Sequence, residues 1–214
     1  MFLTGTKHFS YPMEETPEHT KAIIDEDTAI DHALMVEIAR GDHKAFRQLV
    51  ERHQGAVIGT ISKMLGNTSD SEDIAQQVFI RVWKHAKRYK PDNKFTTYLY
   101  TIARNLVYNE SRRRSRKKTV STEQREEKSH LQHPDDPNSQ PDSKLLTSEL
   151  QSAIDDAIQE LPENQRLAVV LRRYENLPYE EIALVLKTSV PSVKSLLFRA
   201  RTSLRESLEN YMES

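Results

Sequence analysis

The sequence predicts an all-α protein built from two small helical domains joined by a flexible linker. Apolar residues recur at helical spacing in two separate parts of the chain, before about residue 118 and after about residue 150. No stretch of useful length alternates between apolar and polar residues, so a β-sheet is not expected. The segment between the two parts has no apolar period and contains Pro134, Pro137 and Pro141, a composition typical of a flexible linker.

The composition favours small helical units over one large core. Only 36% of the 214 residues are hydrophobic, and there are 5 glycines. The absence of cysteine excludes disulfide bonds, zinc sites with cysteine ligands and thiol catalysis. The sequence has no glycine-rich phosphate-binding loop and no run of about 18 apolar residues that could span a membrane. We therefore expect a cytoplasmic chain that needs no cofactor and does not insert into a membrane.

The helical patterns and the charge distribution divide the chain into four parts. The first part is acidic and has few aliphatic residues, which predicts disorder. The clearest apolar stripe follows in the second part, at Ile74, Val78 and Val82, and the last helix of that part is predicted to end at a basic tract. The four parts are a disordered extension (1–30), a first helical domain (31–118), the linker (119–149) and a second helical domain (150–214).

A strong segregation of charge lies behind the formal net charge of −1. Residues 81–118 contain 13 basic and 2 acidic residues, a net charge of +11, while the flanking segments are acidic. Such a concentration of positive charge is typical of a surface that binds a polyanion such as nucleic acid. A solvated helix face followed by a localisation-type basic tract is the alternative explanation.

The C-terminal segment is predicted to form two helices separated by a short turn. The first covers Tyr179–Leu186, and the second begins near Val190, where Ser189 can cap the helix and Pro191 suits its first turn. Small polar and basic residues on the outward face of the second helix are typical of a DNA-binding helix-turn-helix. An ordinary helical hairpin remains the alternative at this point. The outward residues are Ser192, Lys194, Ser195, Phe198, Arg199 and Thr202, with Arg201 and Arg205 alongside.

Three segments carry a family resemblance. They read, in order, SEDIAQQVFIRVWKHAKRY, KFTTYLYTIARNLVYNESRRR and LPENQRLAVVLRRYENLPYEEIALVLKTSVPSVKSLLFRARTSLRE. Together they resemble the extracytoplasmic-function sigma factors, the minimal promoter-recognition subunits of bacterial RNA polymerase. The resemblance covers residues 31–118 and 150–208. It implies that the first segment docks on the polymerase, the second opens the downstream promoter element, and the third binds the upstream element.

The resemblance implies roles for particular residues and names the partners. Aromatic rings that stack on unpaired bases, together with cations that hold the backbone, are a plausible chemistry for an opened strand. The expected partners are core RNA polymerase, promoter DNA and an anti-sigma factor, a frequent regulator in this family; no catalytic residue and no metal site are expected. The polymerase-docking residues are Asp73, Gln76, Gln77 and Arg81. The residues expected at the downstream element are Lys90, Asn93, Lys94, Tyr100, Arg104, Asn105, Tyr108 and Asn109, with Arg112, Arg113 and Arg114 on phosphates. The residues expected at the upstream element are Ser192, Lys194, Ser195, Phe198, Arg199 and Arg201.

Some positions depart from the family pattern. Lys187 stands where the turn often has glycine, so the turn must reach its geometry without the freedom of that residue. Pro178 replaces the usual polar cap of the first motif helix. Leu196 and Phe198 stand where the family commonly has basic residues, so recognition is expected to use thymine methyl groups or phosphate contacts in part.

Two other functional classes are weaker candidates. An enzyme would need a nucleophile with a partnered base or a cluster of metal ligands, and the 8 histidines are scattered without such spacing. An autonomous helix-turn-helix regulator with a helical sensor domain would need a dimer interface to recognise a two-fold site. Such a regulator should bind its operator alone, whereas a sigma factor should bind weakly until the polymerase aligns both domains.

Overall fold

The structure is a computed structural model that describes residues 17–66, 70–120 and 141–209, with side chains for 26–66, 70–116 and 149–209. The secondary structure in these ranges is helical. No strand occurs in these ranges, and the predicted all-α fold class is confirmed. A short 3₁₀ turn, Ala86–Arg88, follows the third helix. The helices are α1 (Pro17–Ala39), α2 (His43–Leu65), α3 (Ser71–His85), α4 (Phe95–Val120), α5 (Pro141–Glu160), α6 (Glu163–Arg173), α7 (Tyr179–Leu186) and α8 (Val190–Ser207).

The first helical unit, α1 to α4, buries one apolar face of each helix against the others. Leu49 and Ile61 of α2, Val78 and Val82 of α3, and Leu99 of α4 are fully or almost fully buried. Burial of each such side chain contributes about 1.5–3 kcal/mol relative to exposure. The predicted stripe on the third helix therefore lies in the core, and its polar side is left for other contacts.

Helix α2 has well-defined ends. The Asp42 carboxylate accepts hydrogen bonds from the main-chain N–H groups of Lys44 at 2.7 Å and Ala45 at 3.2 Å, which caps the N-terminus. The helix ends at Gly66, whose φ of 72° lies in the left-handed region that favours glycine. A Cβ atom at Gly66 would approach the side chain of Gln159, in the second helical unit, to 2.9 Å. The end of α2 is thus fitted against the C-terminal half of the chain.

The start of α4 is anchored by a buried aromatic residue. Phe95 is completely buried, and its ring centroid lies 5.2 Å from that of His53 and 6.1 Å from that of Tyr89. The loop before it contains Pro91, as the sequence predicts. This packing fixes the direction in which α4 leaves the loop and therefore the orientation of its polar face.

The basic tract after Val107 is helical, because α4 continues to Val120. The sequence analysis ended the helix at this tract, since the tract has no apolar period. Instead, Glu110 pairs with Arg113 at 2.7 Å and with Arg114 at 3.2 Å, three and four residues further along. Such pairs support a helix by electrostatics rather than by apolar burial.

The N-terminal boundary of the first domain also differs from the prediction. Helix α1 begins at Pro17, so the second half of the extension that was predicted to be disordered is helical. The Arg52 guanidinium contacts the carboxylates of Asp27 at 2.9 Å and Asp31 at 3.0 Å, and these bonds raise the pKa of Arg52. Asp31 is only 3% exposed. Asp27, an acidic residue of the extension that was predicted to be disordered, is therefore an ion-pair partner. Residues 1–16 lie outside the described residues.

The linker is shorter than predicted at its C-terminal end. Helix α5 begins at Pro141, so residues 141–149 belong to a helix and not to the linker. A proline is tolerated at the first helical position, where its missing N–H would be unpaired in any case. The sequence analysis counted this proline as a linker residue; residues 121–140 lie outside the described residues.

The helix-turn-helix occurs as predicted, with helices at Tyr179–Leu186 and from Val190. Lys187 adopts the left-handed conformation with φ 55° and ψ 48°, the geometry for which the family often has glycine. The Ser189 hydroxyl caps α8 by accepting a hydrogen bond from the Ser192 N–H at 3.4 Å. The turn is therefore formed at the cost of a left-handed lysine, which is uncommon for a residue with a Cβ atom.

The two helical units pack directly on each other, in one continuous apolar core. The sequence analysis predicted two separate small cores, because periodicity does not reveal which neighbour an apolar face meets. Helix α4 packs against α7, and α2 packs against α5 and α6. Side chains of the second unit also bind carbonyl groups at the C-terminus of α2: Gln159 Nε2 donates to the Lys63 carbonyl at 2.5 Å, and Arg166 donates to the Met64 carbonyl at 2.6 Å. These bonds satisfy main-chain acceptors that the helix end leaves unpaired.

Candidate polymerase and nucleic-acid interfaces

The predicted polymerase-docking residues lie together on the exposed face of α3. This face is opposite the buried stripe, and it is a continuous polar strip along the helix. Ile80 lies in the same strip and is 48% exposed, although it is a large apolar residue. Ile80 was not among the predicted docking residues. It lies four and three residues after Gln76 and Gln77, a spacing that places it on the same helix face. The exposed predicted residues are Asp73, Gln76, Gln77 and Arg81.

The loop before α4 presents part of the predicted strand-binding set. Lys90 and Asn93 are exposed, and the Asn93 carbonyl lies 3.2 Å from Nε2 of His32. Lys94, in contrast, is held: its Nζ lies 2.7 Å from a carboxylate oxygen of Glu181, in α7. Lys94 is therefore ion-paired with the second helical unit, while Lys90 is exposed.

The central residues of the predicted strand-binding face of α4 are covered. Tyr100 is only 3% exposed, and its hydroxyl donates a hydrogen bond to the Glu175 carboxylate. Tyr108 donates its hydroxyl to Asn164 Oδ1 at 2.7 Å. The sequence analysis expected both rings to be available for unpaired bases. In this arrangement the Tyr100 ring is not, because the second unit buries it, and Tyr108 is half-buried with its hydroxyl bound to the second unit.

Arg104 is covered in the same way. Its Nη1 donates to the main-chain carbonyl of Val185, at 2.6 Å, and its guanidinium carbon lies 5.4 Å from the centroid of the Tyr108 ring. The guanidinium is therefore placed over an aromatic ring, a favourable cation–π geometry. Both groups point toward α6 and α7 rather than toward solvent.

Burial keeps both tyrosine hydroxyl groups protonated. Desolvation raises the pKa of Tyr108 to about 12, because the ionised phenolate is disfavoured away from water. Desolvation is also the largest cause of the raised pKa of Tyr100, followed by the negative charge of Glu175. Both hydroxyl groups therefore act as hydrogen-bond donors to the second helical unit at any physiological pH.

The remaining predicted residues on α4 have different environments. Asn109, Arg112 and Arg113 are exposed, and Asn105 is half-buried. Arg113 is bound to Glu110, and this bond is the first cause of the lowered pKa of Glu110. Arg114 also pairs with Asp70 and donates to the Leu65 carbonyl at 3.3 Å, so it joins α4 to the α2–α3 connection.

The outward face of α8 is open in the same structure. The predicted upstream-element residues Lys194, Ser195, Arg199 and Arg201 are exposed, and Ser192 is partly exposed. The Phe198 side chain is 70% exposed, the largest exposure among the exposed large hydrophobic residues of the described chain. The face thus combines three cations, two hydroxyl groups and an apolar ring, a combination that fits the mixture of phosphates, base edges and methyl groups in a major groove.

Within the described residues, no group of three or more histidine, aspartate or glutamate side chains could hold a metal ion. None of the helices of these ranges is long and apolar enough to cross a membrane.

Comparison with known proteins identifies the family. The family model for sigma-70 region 2 matches residues 49–117, and the model for sigma-70 region 4 matches residues 151–204. The chain belongs to the sigma-70 family of RNA polymerase sigma factors. The first match contains the α3 and α4 faces, and the second contains the helix-turn-helix.

Curated relatives place this sigma factor in the extracytoplasmic-function type. It is 32% identical over 181 residues to the RNA polymerase sigma-H factor of Pseudomonas aeruginosa, covering 84% of this chain and 94% of that protein. It is also 32% identical over 188 residues to the extracytoplasmic-function sigma-E factor of Haemophilus influenzae, covering 85% of this chain and 97% of that protein. This agrees with the resemblance found in the sequence and disfavours the autonomous regulator.

Solved structures share the fold of this sigma factor. The structure of CnrH in complex with the cytosolic domain of CnrY has a TM-score of 0.62 at 23% identity, covering 85% of this chain and 98% of that one. The sigma factor RpoE of Bartonella quintana, in complex with the anti-sigma factor NepR, has a TM-score of 0.64 at 23% identity, covering 78% and 98%. These similarities establish the arrangement of helices.

Four acceptor residues of the sigma factor's second unit were missed by the sequence analysis, and all contact the α4 side of the first unit. Glu175 accepts from the Thr60 hydroxyl at 2.8 Å as well as from Tyr100, and Glu181 accepts from the Thr97 hydroxyl at 3.3 Å as well as from Lys94. No periodic signal could have found them, because an acid in a loop or first turn looks solvated in a sequence. Together we call them the acidic cover: Glu163, Asn164, Glu175 and Glu181.

Proposed function

We propose that this sigma factor binds core RNA polymerase through α3, the upstream promoter element through α8 and the unpaired downstream element through α4. It acts in the cytoplasm and catalyses no reaction itself, since RNA synthesis belongs to the polymerase. The observation that carries the proposal is the open, basic face of α8 on a helix-turn-helix, in one chain with the polar face of α3. The two interfaces lie on different helical units, so one chain can join polymerase to DNA.

The upstream contact uses the exposed side chains of α8. The N-terminal part of a recognition helix contacts base edges, while arginine and lysine side chains bind phosphates. Lys194 and Arg199 are placed to do both, and Phe198 can contact thymine methyl groups. Buried Val193, Leu197 and Ala200 hold the opposite side of the helix against the rest of the unit.

Replacing Lys194 and Arg199 together by alanine should weaken binding of the holoenzyme to the duplex upstream element roughly 10- to 100-fold. Each lost base contact costs about 1–3 kcal/mol of binding free energy. Each lost phosphate contact lowers the magnitude of the slope of log binding constant against log salt concentration by about one. The measurement is fluorescence anisotropy on a promoter fragment across a salt series. Arg40 and Arg47, exposed arginines of the first unit, provide the matched double alanine control. Equal affinities for the two double variants would refute the assignment.

The polymerase contact uses the strip on α3. An exposed apolar residue surrounded by polar ones is a common centre of a protein interface, because its desolvation supplies energy while the polar rim supplies specificity. Ile80 has this environment among Gln76, Gln77 and Arg81. The strip lies away from α6 and α7, so docking requires no rearrangement of the second unit.

Ile80→Glu is expected to weaken assembly with core polymerase at least about tenfold, because a charge is then buried at the interface. Its effect on folding should be small, since the position is exposed. The matched control is Val36→Glu, a change at an apolar residue of α1 that is 51% exposed and lies outside the strip. Holoenzyme assembly measured by competition with labelled wild-type chain checks this. Equal competition by both variants would contradict the docking assignment.

An anti-sigma factor completes the proposed set of partners. The related fold of Bartonella quintana RpoE was solved in complex with the anti-sigma factor NepR, and we extend that class of partner to this chain. Exposed apolar residues of the second unit, such as Leu184 and Phe198, would supply the apolar contacts of such a complex.

A further inference from the structure

The face of α4 proposed for the unpaired strand is occupied by the chain itself. Each donor on this face that the second unit covers has an oxygen acceptor as its partner. Lys94 contacts a carboxylate, Tyr100 a carboxylate, Arg104 a main-chain carbonyl and Tyr108 a side-chain amide oxygen. The Ser111 hydroxyl, further along α4, donates to Glu163.

These acceptors have the chemistry that a nucleic-acid strand would offer. Phosphate oxygens bind lysine and arginine, and base carbonyl oxygens accept hydrogen bonds from hydroxyl groups. Three of the four residues of the acidic cover are carboxylates, which carry the same sign of charge as a phosphate. The acidic cover and a single strand therefore compete for the same donors.

The other two interfaces are not covered. The α3 strip is exposed, and so are the basic residues on the outward face of α8. This arrangement, with the second unit packed on α4, thus leaves the polymerase-docking and upstream-element surfaces accessible. It covers the central part of the downstream-element surface, at Tyr100, Arg104 and Tyr108, while the flanking residues of that surface stay exposed. This difference distinguishes selective covering of one site from simple compaction of the whole chain.

The contact between the units is suited to opening. A cleft of about 530 Å³ lies along it, lined by Lys94, Tyr100, Glu175 and Glu181 among others. Water therefore reaches the edge of the polar contacts, although Tyr100 itself is only 3% exposed. Lys94 is only partly buried against Glu181. The units also share apolar packing, which opposes separation, so opening has to be driven by partners that bind the separated units. At the polar contacts, a competing polyanion can replace each carboxylate by a phosphate.

We propose that the second helical unit is an intramolecular inhibitor of single-strand binding: the acidic cover occupies the strand-binding face of α4 until the two units separate. The inference rests on the proposed function, which assigns that face to unpaired DNA. The apparent affinity for a strand is lowered by the fraction of the chain that is closed. When α3 binds the polymerase and α8 binds duplex DNA, the distance between these two binding sites favours the separated arrangement of the units. The strand-binding face of α4 is then exposed when the promoter is present.

The test compares the free wild-type chain with the double variant Glu175→Gln and Glu181→Gln. Both changes keep the side-chain shape and remove the charges that hold Tyr100 and Lys94. The probe is a fluorescent single-stranded DNA oligonucleotide of mixed sequence, with a duplex containing the upstream element as a second probe. We expect the single-strand dissociation constant to fall at least about tenfold, while duplex affinity stays within about twofold of its control.

The matched control is Glu160→Gln with Glu180→Gln, two exposed acids outside the acidic cover. It removes the same net charge and so corrects for general attraction to DNA. Small-angle scattering gives a second measurement, because the cover variant should be more extended than the control. Equal single-strand affinity for the two double variants would overturn the proposal, and so would an absence of binding by both.

Failure of the inference and failure of the proposed function are distinguishable in the same experiment series. If the wild-type chain supports promoter-dependent transcription with core polymerase and the cover variant gains no strand affinity, the self-inhibition is wrong and the function stands. If the wild-type chain supports no transcription, the proposed function is wrong, and strand affinity then decides separately whether the acidic cover blocks α4.

Discussion

Replacing Tyr108 by alanine is expected to slow promoter opening roughly 5- to 100-fold. Stacking of an unpaired base on an aromatic side chain is worth about 1–3 kcal/mol, and this energy offsets part of the cost of extruding the base from the duplex. Replacing Arg104 by alanine should slow promoter opening by a similar factor, because its guanidinium lies over the Tyr108 ring, orients that ring and adds a positive charge. The measurement is permanganate reactivity of thymines in holoenzyme–promoter complexes against time.

Conservative variants separate stacking from structure. Tyr108→Phe keeps the ring and loses only the hydroxyl bond to Asn164, so it should open promoters at the wild-type rate or faster. Arg104→Lys keeps the charge and should retain most of the rate. If Tyr108→Ala opens promoters as fast as Tyr108→Phe, the ring does not bind a base and the assignment of α4 is wrong.

Phe95→Ala should reduce the free energy of unfolding by about 3–5 kcal/mol, the usual cost of removing a fully buried phenylalanine. The ring is completely buried and lies among the rings of His53, Tyr89 and Tyr98, so little of the cavity can close. Since a folded domain is stable by only about 5–15 kcal/mol, much of the chain's stability would be lost.

Urea denaturation followed by circular dichroism measures this loss. The control is Val36→Ala, at an exposed apolar residue, which should change the free energy of unfolding by less than about 0.5 kcal/mol. A loss below about 1 kcal/mol for Phe95→Ala would show that α4 is not anchored at this position.

The helix-turn-helix was fully predictable from the sequence because its determinants are local. Ser189 caps α8 by a bond within one turn, and the spacing of Val193, Leu197 and Ala200 fixes which side of that helix is buried. The family resemblance, and not a local pattern, pointed to Lys187 as a turn position that often holds glycine; the structure shows that this lysine itself adopts the left-handed conformation. Capping and periodicity concern residues only a few positions apart, and these are the relationships that a single sequence displays.

The covering of α4 could not be predicted, because its determinants are not local. The family resemblance implied a strand-binding role for Tyr100, but its partner Glu175 is far along the chain and belongs to the other unit. The helical part of the extension was missed for the same reason: Asp27 looks like a solvated acid until Arg52 of α2 is brought beside it. Periodicity identifies which residues are polar, and only the fold shows which polar residues meet.

The closed arrangement also gives the interfaces an order of use. Under the proposed function, polymerase and duplex DNA bind surfaces that are already exposed, whereas the unpaired strand binds the face under the acidic cover. Positive charge concentrated in residues 81–118 would otherwise attract any single-stranded nucleic acid. Covering Lys94 and Arg104 removes two of these cations from solvent in the free chain and, in the proposed mechanism, returns them to the strand when the units separate.

Run-off transcription with bacterial core polymerase on a library of random promoter sequences is the most direct test of the central claim. The proposed function predicts transcripts that depend on this chain and start downstream of a shared two-part sequence. One part is recognised as duplex by α8, and the other is opened by α4. Transcription that is the same with and without the chain would contradict it.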